Sequence, residues 1–244
     1  MKILLLSDLH LCDIRNSREF EYRRMDKLAD FIKNSGAGMV LNLGDAVSRK
    51  EFLREEFADE SAGFDYYLQW RKQFDIPFTE CAVAREFGFF AEKVGQQPDS
   101  FRQIDDFMSL ITVAPQEAFD HNFTLDQLDF LEQAVSGCRT PKLLIASHVP
   151  YPGSCSRGIA PGIFLDIPER LRMLVEESEL DIFWGGGHFH WDAEPAGKFG
   201  SLTAFYGGRF SNENGKKNGY LRSIDCFRRD KYRIAIILVV RKKR

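Results

Sequence analysis

With 244 residues, 44% hydrophobic and 28% charged, the chain is long and apolar enough to bury a substantial core, which excludes a disordered or low-complexity polypeptide. A formal net charge of -3 with the cations scattered along the chain supplies no broad basic face, which argues against nucleic acid as a partner. Five cysteines with no Cys-x-x-Cys pair indicate neither a disulfide framework nor a zinc ribbon and fit a reducing compartment.

The first apolar run, residues 2–7, reads as a buried strand that opens into a loop at Asp8. Its apolar part, residues 3–6, is far shorter than a signal-peptide core, and no other stretch is long enough to span a bilayer, so a cytoplasmic protein without membrane contact is expected. Between residues 19 and 33, Phe20, Met25, Leu28, Ala29 and Ile32 follow helical spacing, and residues 39–43 form the next strand, ending at Gly44 and Asp45. Two strands joined by a helix make a βαβ unit, which places both carboxyl ends, and so Asp8 and Asp45, on one edge of a sheet.

Residues 49–74 are acidic and aromatic, with Leu53, Phe57, Tyr67, Trp70 and Phe74 at partly helical spacing around a break near residues 61–63. This segment reads either as a helical pair packed on the sheet or as a substrate-facing cap. Thr124 followed by Gln127 is a capping box that opens a helix to Gly137, and residues 142–146 are a strand ending in Ser147 and His148. A helix at 169–176 leads to a strand at 181–184, followed by Gly185, Gly186, Gly187, His188 and His190. The last third holds β-rich runs at 202–206, 219–226 and 232–240 that extend or pair a second sheet. No internal repeat or change of composition divides the chain, and one domain over residues 1–244 is expected.

Four strands thus end in a metal-capable group: Asp8 with His10, then Asp45, then His148, then His188 with His190. Of the five histidines only His121 lies elsewhere, in a polar stretch where it reads as a surface or capping residue. One Asp-x-His triplet means little, but repetition at the carboxyl ends of strands falls where open α/β sheets bind ligands. Carboxylate and imidazole together suit manganese, iron or zinc, and a carboxylate can join two such ions. Two ions about 3.5 to 4 Å apart can activate water and neutralise charge developing on a phosphoryl group.

These motifs resemble the calcineurin-like metallophosphoesterases, whose ordered signatures Asp-x-His, Gly-Asp, His and Gly-His-x-His appear here as Asp8-Leu9-His10, Gly44-Asp45, His148 and Gly187-His188-Phe189-His190. The resemblance implies an α/β fold of two packed mixed sheets flanked by helices, one or two divalent ions and a phosphoester substrate. It also implies that Asp8, His10 and His190 hold one metal, that His148 and His188 hold the other, and that Asp45 bridges them. One signature departs. Where the family has Gly-Asn-His-Glu/Asp, this chain has Val83-Ala84-Arg85-Glu86, so an asparagine ligand and an assisting histidine are replaced. Arginine cannot donate a proton near neutral pH but can bind a phosphate oxygen, and Glu86 is a candidate substitute ligand. Two readings stay open: a phosphoester hydrolase, mono- or diesterase, with Asp45, Arg85 and His148 carrying catalysis, or an inactive binding module with a protein partner. A nuclease is a third. Tyr151, Arg209 and the loop 212–217 are further candidates to face substrate.

Overall fold

The computed structural model describes residues 1–115, 123–154, 167–188, 197–206, 219–225 and 233–241; for 206, 219–225 and 233–241 the description is of the backbone. The chain forms two compact units. One holds residues 1–79 with the two C-terminal strands, the other residues 80–188 with the strands between 197 and 206.

In the first unit, β1 (Lys2–Leu6) is buried from Ile3 onward, as expected of a strand covered on both faces. The chain then crosses through α1 (Arg18–Asn34) to β2 (Met39–Asn42), which pairs parallel with β1 in the register Ile3 to Met39 through Leu6 to Asn42. The βαβ expectation is met within one or two residues at each boundary. Ser17 caps α1 by accepting from the Phe20 amide at 3.2 Å, and Glu19 and Glu21 favour the positive end of the helix dipole.

The segment after β2, open to reading as a helical pair or as a cap, forms a single α-helix. A short 3-10 turn at Lys50–Phe52 is followed by a single helix, α2 (Glu60–Arg71), which Asp59 caps through the Ala62 amide at 2.9 Å. The expected break at 61–63 therefore lies inside α2. Gly63 is there for contact: a Cβ at this position would sit 2.5 Å from Val47 Cγ1. Tyr67 on the same helix is fully buried, and its hydroxyl accepts from Asn42 Nδ2 at 3.4 Å, so this part of the segment packs on β2 rather than hanging over it as a cap.

After β3 (Phe78–Glu80), the sheet of this unit is completed by β10 (Gly219–Asp225) and β11 (Arg233–Arg241), in the order β10-β11-β1-β2-β3. β11 runs parallel to β1, and β10 antiparallel to β11. The C-terminal pair was expected to extend or pair a second sheet. It joins the first, because a strand's partner is set by long-range apolar pairing that local sequence does not encode.

In the second unit a 3-10 turn at Ala84–Glu86 leads into α3 (Phe87–Val94), which ends at Gly95 in the left-handed conformation (φ 72°). Then come β4 (Ser100–Gln103), β5 (Met108–Thr112), α4 (Leu125–Gly137), β6 (Lys142–Ala146), α5 (Glu169–Glu176), β7 (Asp181–Gly186), β8 (Gly197–Phe199) and β9 (Leu202–Tyr206). They form a mixed six-stranded sheet in the order β4-β5-β6-β7-β9-β8, parallel from β5 to β9 with an antiparallel strand at each edge. Leu143, Ile145, Ile182, Trp184, Leu202 and Ala204 from the sheet meet Leu131 and Val135 of α4 and Leu171 and Val175 of α5 in one apolar core.

α4, β6, α5 and β9 match expectation, whereas α3, β4, β5 and β8 were not foreseen. β5 is buried along its whole length yet carries Ser109 and Thr112. Both hydroxyls are bonded: Thr140 Oγ1 donates to Ser109 Oγ at 2.9 Å, and Thr112 pairs with Ser100 across the hairpin at 2.8 Å. β7 runs two residues beyond expectation, through Gly185 and Gly186. A side chain at Gly185 would collide with the Phe205 ring, and one at Gly186 with the Pro150 backbone.

Candidate metal-binding residues

In the first unit the chain leaving β1 is bonded to the chain leaving β2. The Asp8 amide donates to the Gly44 carbonyl at 3.1 Å, the His10 amide to the Asp45 carbonyl at 2.9 Å and the Leu11 amide to the Ala46 carbonyl at 2.9 Å. The two expected metal-binding loops thus continue the β1–β2 pairing as a single ribbon.

This ribbon is strained. Among the described residues, five that are not glycine have positive φ: Asp8 (54°), His10 (43°), Cys12 (64°), Asp45 (53°) and His188 (77°). Four of these five are residues singled out as metal ligands. Left-handed backbone costs a residue with a side chain on the order of 1 kcal/mol or more and persists where the surroundings hold it, commonly at functional sites.

Asp8, Asp45 and His10 are buried, with 0%, 4% and 8% of their surface exposed. His10 Nε2 stands 3.7 Å from Asp8 Oδ1 and 3.6 Å from Asp45 Oδ2. Those separations exceed a hydrogen bond. They are a few tenths of an ångström wider than the roughly 3 to 3.5 Å between donor atoms that share one ion with bonds of about 2.0 to 2.2 Å. A carboxylate oxygen of Asp8 also lies within 4.8 Å of one of Asp45. Ser7 Oγ donates to Asp8 Oδ2 and orients the carboxylate. Two buried carboxylates beside an imidazole suit a divalent cation by charge and hardness.

In the second unit, His148 follows β6 and His188 follows β7, whose parallel pairing brings their ends together. His148 Nε2 and His188 Nδ1 are 3.2 Å apart, with the rings edge to face and their centroids 5.1 Å apart. The Gly187 amide donates to the His148 carbonyl at 2.8 Å, and the Ser147 amide to the Gly185 carbonyl at 3.0 Å. Trp184 Nε1 donates to Ser147 Oγ at 3.0 Å, which in turn donates to the Val149 carbonyl at 2.5 Å, fixing the chain on both sides of His148. Two imidazole nitrogens on a rigid strand edge are a competent pair of ligands for a borderline ion.

Arg85 lies half-buried in the 3-10 turn at Ala84–Glu86. Glu86, a candidate substitute ligand, uses Oε2 to accept the Val83 amide at 3.1 Å, which occupies that oxygen in closing the turn. Tyr151 is not a surface residue: its ring packs on Trp184 and Phe199, its hydroxyl donates to Glu176 Oε1 at 2.6 Å, and burial pushes its ionisation up. His190, His121, Arg209 and the loop 212–217 lie outside the described residues.

Sequence reasoning missed the polar groups behind the Asp8–His10 loop, above all Glu21, Arg24 and Arg54. A signal was present: Glu21 stands on the stripe of Met25, Leu28 and Ile32, where an i, i+4, i+7, i+11 pattern puts a carboxylate on the buried face of α1.

No family model matches the chain, and no curated protein matches it in sequence. Among solved structures, a dimetal phosphatase from Danio rerio aligns with a TM-score of 0.63 over 85% of this chain and 87% of its own length, at 12% identity. GAP50, the anchor in the inner membrane complex of Plasmodium, aligns with a TM-score of 0.47 over 86% of this chain and 71% of its own, at 15% identity. The first likeness shows the fold: a metallophosphoesterase-type α/β architecture of two mixed sheets with flanking helices. Among the described residues no helix is long and apolar enough to cross a membrane.

Proposed function

We propose that this protein is a metal-dependent phosphoester hydrolase acting on a phosphomonoester or phosphodiester. The observation that carries the reading is the buried group Asp8, His10 and Asp45, held on left-handed backbone at the ends of adjacent parallel strands with His10 Nε2 3.6 to 3.7 Å from a carboxylate oxygen of each aspartate. The fold shared with a dimetal phosphatase supports it. In this reading Asp8, His10, Asp45, His148, His188 and His190 are metal ligands in the roles the motif resemblance implies, with manganese, iron or zinc as the ion. Bound ions would supply Lewis-acid polarisation of the phosphoester and activation of water.

The chain's own contribution is positioning and charge. Asp8 and Asp45 supply the negative charge that retains cations, and the imidazoles of His10, His148 and His188 keep the donor set from becoming so anionic that it repels a phosphate. Arg85 takes the place of the family's assisting histidine as an electrostatic clamp on a phosphate oxygen. It cannot protonate a leaving group, so good leaving groups are favoured.

The test is hydrolysis of an aryl and an alkyl phosphoester by the purified protein with added Mn²⁺, alongside Asp45→Ala and a variant combining Val83→Gly, Ala84→Asn and Arg85→His. Aryl esters are expected to react at least about 10²-fold faster than alkyl esters, in line with the contribution of a general acid, and Asp45→Ala to be inactive. Equal rates on both esters would remove the role given to Arg85. Turnover by the repaired variant alone would favour the second reading, an inactivated fold serving as a protein-binding module, which the Val83-Ala84-Arg85-Glu86 departure motivates.

A further inference from the structure

The loop that carries Asp8 and His10 is tied down by the ionic side chains of Glu21, Arg24 and Arg54. Glu21 on α1 is fully buried, and its Oε2 accepts the Cys12 amide at 2.8 Å. Its other oxygen, Oε1, accepts from Arg54 Nη2 at 2.8 Å. The Arg54 amide donates to the Cys12 carbonyl at 2.9 Å, so Cys12, Glu21 and Arg54 close a hydrogen-bonded ring that engages both backbone polar groups of Cys12. One turn further along α1, Arg24 is 7% exposed and donates from Nη2 to the Leu9 carbonyl at 2.8 Å.

Stability alone does not account for this arrangement. Removing the Glu21 carboxylate and the Arg24 guanidinium from water costs several kcal/mol per ion, and buried pairs are often no more stabilising than apolar residues of the same volume. What the ring secures is geometry. Asp8, His10 and Cys12 alternate in left-handed backbone, and the amide and carbonyl of Cys12 together with the carbonyl of Leu9 are the points at which the loop would relax.

We infer that Glu21, with Arg54 and Arg24, is a positioning group that holds the Asp8–His10 loop in its ligand-presenting conformation. The inference rests on the metal-dependent reading above. Its chemistry is that of an internal strut: the Glu21 carboxylate joins the start of α1 to the loop, Arg54 neutralises that carboxylate, and Arg24 fixes the residue between the two ligands.

The experiment pairs calorimetric titration of the full chain with Mn²⁺ and amide hydrogen exchange, for the unmodified protein and for Glu21→Ala, Glu21→Gln and Arg24→Met. Glu21→Ala is expected to weaken Mn²⁺ binding by about 10- to 100-fold, the range found when groups that orient ligands are removed. It should speed exchange at the Cys12 amide while the β1 amides keep their protection. Glu21→Gln retains an oxygen that can accept from Cys12 and should restore part of both. Should Glu21→Ala fail to fold, Arg24→Met, which releases only the Leu9 carbonyl, carries the test with the same expected pattern. Unchanged Mn²⁺ affinity in a folded variant overturns the inference, as does a loss of exchange protection spread evenly over the first unit. If the unmodified protein binds no Mn²⁺, the metal reading itself fails; the strut is then judged by exchange at Cys12, and unchanged exchange there overturns it.

Discussion

At Asp45 two requirements meet. Its carboxylate is buried close to that of Asp8, and its backbone is left-handed. Asparagine tolerates left-handed backbone well and carries no charge. Asp45→Asn is therefore expected to raise the stability of the metal-free protein by about 0.5 to 2 kcal/mol while abolishing Mn²⁺ binding, the trade expected where function is bought with strain. Thermal melts with EDTA and calorimetry with Mn²⁺ check both halves; a destabilised variant would mean that the carboxylates do not oppose each other in the folded state.

A second residue-scale prediction concerns Asp13, whose carboxylate accepts from Arg15 Nε and Nη2 at 2.6 to 3.1 Å. Burial alone would raise its pKa, but the hydrogen bonds and charge of Arg15 outweigh burial and hold it below the ordinary value. A depressed native pKa contributes stability above the unfolded value of about 3.9 and loses it as pH falls through the native value. The advantage of the unmodified protein over Asp13→Asn should accordingly be full at pH 6 to 7 and shrink below about pH 4. Urea denaturation across that range measures it, and a gap independent of pH would contradict the assignment.

At the scale of elements, α4 shows how much a capping box can hold. Thr124 Oγ1 accepts the Gln127 amide at 3.2 Å, and Gln127 Oε1 accepts the Thr124 amide at 3.2 Å. Gln127 Nε2 also donates to both oxygens of Asp99, at 3.1 and 2.9 Å, and to the Ala114 carbonyl at 2.5 Å, joining α4 to the chain on both sides of the β4–β5 hairpin. Thr124→Ala should cost about 1 kcal/mol, the usual value of an N-cap. Gln127→Ala should cost about 2 to 3 kcal/mol, because it strips partners from Asp99, whose pKa burial already raises. Equal losses in chemical denaturation would reduce Gln127 to its capping role. The box itself was legible as Thr124-x-x-Gln127, and α1, β6 and α5 were legible from apolar spacing. β4 and β5 were not: Ser109 and Thr112 break the apolar run, and their hydroxyls are satisfied by Thr140 and Ser100, far off in sequence or across the hairpin. The Asp105 carboxylate that accepts the Phe107 amide at 2.8 Å and the Met108 amide at 3.0 Å was the local turn signal available there.

For the whole molecule, metal that binds only the folded state must stabilise it by mass action, by about 2.7 kcal/mol at a free concentration 100 times Kd. The Tm should rise with added Mn²⁺, fall back with EDTA, and fail to respond in Asp45→Ala. A Tm indifferent to Mn²⁺, iron and zinc alike would leave the ligand set without its proposed purpose.

A fold shared at 12% identity shows how few residues need be common for the architecture to persist. Volume and apolar pattern suffice to build the sheets. The sequence by itself determined the polar residues at strand ends, because chemistry and a period-two or helical pattern are written locally: Asp8, His10, Asp45, His148 and His188 can all be placed there from the sequence alone. Tertiary structure alone decided the rest. β11 lies beside β1, paired parallel from Lys2 with Arg233 to Leu5 with Ile236, a juxtaposition of segments more than 200 residues apart. Asp8 and Asp45 hold left-handed backbone within a ribbon of hydrogen bonds that joins their two loops. Such constraints come from contacts between distant segments, and those exist only once the chain has folded.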